Sequence, residues 1–160
     1  MKIVSLLMLA ISTLLAQTYT FNESRYIYAI DKNISLEGSI FFSDDFMKIS
    51  YTAPQQRVIE VDSTQMNIYE NKKHIQSITL KDDAKMALYM SFIKKMYQMD
   101  LDALKEYFSI EKKGSTLYLT PNAMSKTIIN SIKVHYNKSV IQSIYTKMQS
   151  GDEILLLIKQ

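Results

Sequence analysis

The stretch DDAKMALYMSFIKKMYQMD, residues 82–100, breaks the pattern of the rest of the chain. It contains neither Gly nor Pro and is rich in strong helix formers. Met86, Met90, Ile93 and Tyr97 recur at helical spacing on one face, with Leu88, Phe92, Met96 and Met99 beside them. Asp82 or Asp83 suits the N-cap, and Lys94 and Lys95 suit the C-terminal half, where the helix dipole favours cations. A helix of about sixteen residues spans about 24 Å. A second short helix is expected over 101–108, capped by Asp100 or Asp102.

On either side of this segment the period is two. From Thr18 to Leu80, alternating apolar and polar residues predict strands over 18–30, 34–42, 47–53, 57–62, 66–70 and 74–80. Turn-forming residues separate them: Asp31-Lys32-Asn33, Ser43-Asp44-Asp45, Pro54-Gln55-Gln56, Asp62-Ser63-Thr64 and Asn71-Lys72-Lys73. After the helices, YFSIEKKGSTLYLTP (107–121) predicts a hairpin turning at Lys113-Gly114-Ser115. Residues 122–130 predict a loop or a short helical turn. Residues 131–159 predict a three-stranded meander turning at Asn137-Lys138 and at Ser150-Gly151-Asp152. Such short connections require antiparallel pairing. About eleven strands are expected, and an antiparallel sheet of that size curls. The fold class expected is mainly β (α+β): a curved antiparallel sheet forming an incomplete barrel, with a helical lid across its opening.

The bulk composition fits one globular domain. The chain has 160 residues, of which 47% are hydrophobic, so a sizeable core is within reach. Its net charge is +3, and the basic residues are dispersed, which gives no electrostatic footprint for nucleic acid. Residues 1–16 have the layout of a secretory signal peptide: Lys2 first, an apolar run over 3–11, and Ala16 before the cut. Residues 17–160 then form the single domain. There is no cysteine, which removes disulfides, thiolate metal sites and thiol nucleophiles. Asn22-Glu23-Ser24, Asn33-Ile34-Ser35 and Asn137-Lys138-Ser139 fit glycosylation triplets. Such triplets arise easily in a chain rich in Asn and Ser, and a bacterial, periplasmic location is the reading favoured.

Nothing specific points to catalysis. His74 and His135 are isolated and lack metal-ligand spacing. Asp44-Asp45 and Asp82-Asp83 fall at a predicted turn and a predicted cap. No nucleophile elbow or phosphate loop occurs, and the chain has only three glycines. No enzyme activity, cofactor or metal is expected. Lys48, Lys72, Lys73, Lys94, Lys95, Lys112, Lys113 and Lys126 are spread over strand ends and helix faces, where they suit solubility. The apolar positions carry more information. Alternation places Leu36, Ile40, Phe42, Met47, Ile49, Tyr51, Ile59, Val61 and Ile68 on one sheet face. Met86, Met90, Phe92 and Ile93 form the apolar helix surface that would cover it. These residues either pack as plain core or line an apolar cavity, because a barrel of this size fills its interior or holds a ligand.

The order of elements resembles LolA, the periplasmic carrier family of outer-membrane lipoproteins. Within LEGSIFFSDDFMKISYTAPQQRVIEVDSTQMNIYE (36–70), the positions that carry the resemblance are Gly38, Ile40, Ile49, Tyr51, Pro54, Asp62, Ile68 and Tyr69. Leu117, Leu119 and Pro121 match a Leu-x-Leu-x-Pro segment. The nearer likeness is to LolA-related proteins associated with lipid exporters and acyltransferases, through Phe21-Asn22-Glu23, Gly38-Ser39-Ile40-Phe41-Phe42, and the Asp100, Leu104, Phe108 spacing. The resemblance covers nearly all of the chain after residue 16, and its specificity lies in the order of the motifs. Where the carriers place a lid-holding Arg-Pro pair, this chain has Asp44-Asp45. The resemblance implies a monomeric periplasmic carrier or chaperone that binds lipoprotein acyl chains or another lipid in an apolar half-barrel. It would deliver them toward the outer membrane, with an inner-membrane exporter or lipoprotein-releasing complex as partner. The alternative is a non-catalytic accessory subunit of a lipid exporter with a filled core.

Overall fold

The computed structural model describes residues 17–138 and 140–159. The signal-type segment expected over 1–16 lies outside the described residues. Eleven strands form one antiparallel sheet: β1 (Gln17–Ile27), β2 (Lys32–Phe42), β3 (Met47–Ala53), β4 (Arg57–Val61), β5 (Gln65–Glu70), β6 (Lys73–Thr79), β7 (Phe108–Lys113), β8 (Thr116–Pro121), β9 (Ile129–Asn137), β10 (Val140–Met148) and β11 (Glu153–Lys159). Two helices, α1 (Ala84–Tyr97) and α2 (Leu101–Leu104), separate β6 from β7.

The spatial order is β6-β5-β4-β3-β2-β1-β11-β10-β9-β8-β7. Each half is a meander, and the halves join where β1 pairs antiparallel with β11, for example Phe21 opposite Ile158 and Glu23 opposite Leu156. The outermost strands, β6 and β7, are thus consecutive in the chain, and no ladder joins them among the described residues. The sheet is open, and the helical segment must travel from one edge to the other. Fourteen residues of α1 cover about 21 Å of that path.

Facing residues form apolar rows that run from strand to strand. One row is Ile40, Ile49, Ile59 and Ile68; its neighbour is Phe42, Met47, Val61 and Met66. In the other half, Leu156, Ile144, Val134 and Leu117 continue the same face. α1 lies on this face. Tyr97, at its C-terminal end, meets Tyr19 at 5.6 Å and Phe42 at 5.2 Å between ring centroids. Phe92 is fully buried and meets Tyr107 and Phe108 edge-on at 5.2 and 5.1 Å.

Local chemistry sets the helix boundaries. Asp83, not Asp82, caps α1, its carboxylate accepting from the Met86 N–H at 2.9 Å. Asp100, not Asp102, caps α2 by accepting from the Ala103 N–H at 3.1 Å. The second helix is shorter than the sequence predicts. It ends at Leu104, because Phe108 joins β7 opposite Pro121 and is buried beside Phe92. The first turn also differs from expectation. Tyr28–Ile30 forms a turn of 3-10 helix, and Asp31 takes the left-handed backbone (φ 47°), so that β2 starts at Lys32. The 122–130 connection contains a short 3-10 turn, Ser125–Thr127.

Gly38 is required by a close approach. A Cβ there would lie 2.5 Å from the Ser50 carbonyl oxygen and 2.9 Å from the Phe21 ring. Phe21 sits opposite Gly38 in the ladder and meets Tyr51 edge-on at 5.8 Å. The missing side chain is thus the space that the Phe21 ring occupies. Gly38→Ala is expected to destabilise the protein by about 1–3 kcal/mol through overpacking, read as a lower urea midpoint with an unchanged slope.

Candidate functional site

A cavity of about 630 Å³ lies between α1 and the sheet, within the range of about 300–1,000 Å³ usual for small-molecule sites. Residues of β1 to β5 form one wall, α1 forms the roof, and β10, β11 and the connection before β9 close the far side. The sheet therefore bends around the helix, since both of its halves reach one cavity.

The lining changes character along its length. At the α1 C-terminal end it is apolar, with Phe21, Ile40, Ile49, Ile93 and Tyr97. At the α1 N-terminal end it carries Asp83, Lys85, Gln149, Ser150 and Asp152. The gradient follows from two antiparallel elements. The Tyr19–Tyr97 contact places the end of α1 over the start of β1, while Arg25 and Glu23 act electrostatically on Tyr89, two turns earlier in the helix.

Between these ends sits a polar cluster. Glu23 is 3% exposed, an unusual location for a carboxylate unless it is paired. Arg25 donates to its Oε1 through Nε at 2.8 Å and Nη2 at 2.5 Å. The Tyr51 hydroxyl donates to Oε2 at 3.1 Å. Glu23 and Arg25 are two apart on β1, so both point to the cavity face, and Tyr51 joins them from β3. Burial, with the Glu23 charge adding to it, pushes the Tyr51 phenol above its ordinary range. Burial likewise raises Tyr89 and Tyr97. Burial disfavours the charge on the Arg25 guanidinium, the Glu23 carboxylate favours it, and the net shift is upward, so that it stays charged.

Of the expected wall residues, Ile40, Ile49, Tyr51, Ile59, Ile68, Met86, Met90 and Ile93 line this cavity. The other expected wall residues lie outside this lining. Phe92 points the opposite way on α1, into the aromatic core of Tyr107 and Phe108. Phe42 is buried under Tyr97. Met47 and Val61 face a smaller cavity of about 480 Å³ on the other flank of α1, together with Asp44, Asp45, Leu80 and Lys94. Leu36 lies opposite Glu23 in the ladder but outside the cavity lining. Alternation assigns a face and not a depth, so it cannot separate these residues from the cavity wall. The lining also includes Phe21, Glu23, Arg25, Met66 and Tyr89, which the sequence pattern does not assign to it, and Tyr97, which shares the helix face of Met86, Met90 and Ile93. The Glu23-x-Arg25 alternation on an otherwise apolar face was the available signal for the charged pair.

α1 has a polar tie of its own. The Lys94 ammonium, in the last turn of α1, donates to the backbone carbonyl oxygen of Asp44 in the β2–β3 turn. His74 and His135 are both exposed and lie outside the cavity lining. Among the described residues, no cluster of His, Asp and Glu has metal-binding geometry, and no helix is long and apolar enough to cross a membrane. No protein-family model matches the chain, and no curated protein shows significant sequence similarity to it.

Two measurements separate core from cavity wall. Phe92→Ala is expected to cost about 3–5 kcal/mol by opening a hole in packed core, whereas Ile93→Ala, facing open space, should cost clearly less in the same urea titration. The raised phenols give a pH signature. Each is held neutral in the fold, so its contribution is complete below the unfolded value of about 10 and is lost as pH rises through the folded value. Stability should therefore decline above about pH 10. Tyr97→Phe should flatten that decline in urea midpoints measured from pH 9 to 12.

Proposed function

We propose that this protein is a non-catalytic carrier that binds an acyl chain between the sheet and α1, with a half-barrel and helical lid of LolA type. The observation that supports this reading most is the cavity itself: a space of about 630 Å³ walled by Ile, Met and aromatic side chains from two sheet halves and a helix. Covering an acyl chain there removes apolar surface from water, worth about 25 cal/mol per Å². Met66, Met86, Met90 and Met148 in the wall suit such a cargo, because unbranched thioether side chains repack easily around chains of different shape.

Release would require α1 to lift, and the chain has the parts for this. The helix hangs between two strand edges, held by side-chain packing and by the Lys94 tie to Asp44. A periplasmic location follows in this reading from the signal-type start of the sequence, and the acceptor is a membrane or a membrane-bound exporter. Lipoproteins are one cargo class and other lipids are another. The accessory-subunit reading needs a filled interior, which the cavity disfavours.

The reading is tested by filling the space. Ile68→Trp, in a half-exposed part of the cavity wall, is expected to weaken binding of a fluorescent acyl probe by about tenfold or more while the circular-dichroism spectrum stays that of the parent. If the delipidated parent protein binds no acyl probe, or the tryptophan variant binds as well as the parent, the carrier reading fails.

A further inference from the structure

The smaller cavity, of about 480 Å³, lies beside the larger one under the other flank of α1. Among the described residues, Met90 alone lines both. On the sheet the two linings adjoin. Ile49 faces the larger cavity, and Met47, two residues earlier on β3, faces the smaller; Ile59 and Val61 repeat this on β4. Val61 is also the direct ladder partner of Met66, which lines the larger cavity. Two residues along a strand rise about 7 Å, so the two spaces are close neighbours. The smaller one has an apolar floor and a polar rim. Phe46, Met47, Val61 and Leu80 form the floor, and Ala87 and Ser91, one turn apart on α1, roof it with short side chains. On the rim, Asp44, Asp45 and Lys81 are exposed. Asp62 is engaged in its own turn, accepting from the Thr64 N–H, the Thr64 hydroxyl and the Gln65 N–H at 2.7, 2.8 and 2.9 Å.

We infer that Met90 is the partition that sets the length of acyl chain the larger cavity takes, with the smaller cavity as the space a longer tail would enter if that side chain were removed. This rests on the acyl-carrier reading and adds to it a residue that determines chain-length specificity. The wall on both sides of the border is Ile, Val, Met and aromatic, so a tail passing from one space to the other would stay on apolar surface. What closes the way is Met90, buried at 8% exposure and reaching the border from α1. Its side chain is long and unbranched, so cutting it back to Cβ removes the partition and leaves the helix in place. Each methylene taken out of water tightens binding by about fourfold. Affinity along a chain-length series therefore reports how much of the chain finds a wall.

The test is a series with one zwitterionic head: decyl-, dodecyl-, tetradecyl- and hexadecylphosphocholine, each below its critical micelle concentration. The head is common to all, so it cancels in the comparison. Binding is read by displacement of a fluorescent acyl probe from the delipidated protein. In the parent, affinity is expected to rise along the series and to level off before hexadecylphosphocholine. In Met90→Ala the rise is expected to continue. Hexadecylphosphocholine should then bind about tenfold or more tightly than to the parent, while decylphosphocholine changes by less than about twofold. Ser91→Leu added to Met90→Ala refills the smaller cavity and is expected to cancel that gain. If Met90→Ala does not fold, judged by circular dichroism, Met90→Val is read in the same way, with a smaller gain in the same direction. A parent series that rises unbroken to hexadecylphosphocholine overturns the inference. So does a gain that is equal at every length, a gain that survives Ser91→Leu, or no gain at all. In each of these cases the carrier reading stands. If the fluorescent probe binds and no member of the series displaces it, the inference again fails alone. If neither the probe nor the series binds the folded parent, the carrier reading fails and this inference with it.

Discussion

The pairing of β1 with β11 is the constraint on which the rest of the structure depends. It joins two meanders at the centre of one sheet and so makes the outermost strands, β6 and β7, neighbours in sequence. The residues between them have to cross the sheet. Because they are helical and apolar on a wide face, they cross over the greasy side and cover it. The crossing helix, the cavity and the open sheet are three consequences of that one pairing. A chain with the same strands but with its helices at a terminus would not be obliged to bridge both edges.

Why a cavity remains, and not solid core, follows from how much one helix can fill. α1 presents Phe92 and Met96 to one side, where they are buried with Tyr107, Phe108 and Leu104 as ordinary core. Its other side, with Met86, Tyr89, Met90 and Ile93, faces a cavity walled by both halves of the sheet. The wall there is rich in Ile: Ile40, Ile49, Ile59 and Ile68 line it. Gly38 leaves room for the Phe21 ring beside β2, and Phe21 forms part of the cavity wall. The charged pair Glu23 and Arg25 then divides the cavity into a dry end and a polar end, and this division gives the site a direction.

Much of the fold was legible in the sequence because its signals were periodic. The switch from period two to helical spacing at Asp83 and back again near Phe108 marked the lid. Polar turn residues such as Asp62-Ser63-Thr64 and Asn71-Lys72-Lys73 marked the strand ends. What could not be read was local. Nothing in Asp31-Lys32-Asn33 distinguishes a plain turn from one preceded by 3-10 helix, because the left-handed backbone at Asp31 is one option among several for Asp. Nor could alternation show that Phe42, Met47 and Val61 lie past the cavity while Ile49 and Ile59 line it. That depends on where the helix lands, which is a tertiary fact. The polar cluster was hidden for a related reason. Glu23 and Arg25 look like solvated strand residues until β3 brings Tyr51 and α1 brings Tyr89 over them.

The central claim is that the space beneath α1 holds an acyl chain. Methyl-resolved NMR of isoleucine-labelled protein titrated with a soluble single-chain amphiphile tests it most directly. The account predicts shifts, and contacts from ligand chain protons, at Ile40, Ile49, Ile59, Ile68 and Ile93, with Ile132 and Ile144 in the filled half of the core left unchanged. No response at those five methyls, or a response confined to the exposed Ile30 and Ile75, would contradict it.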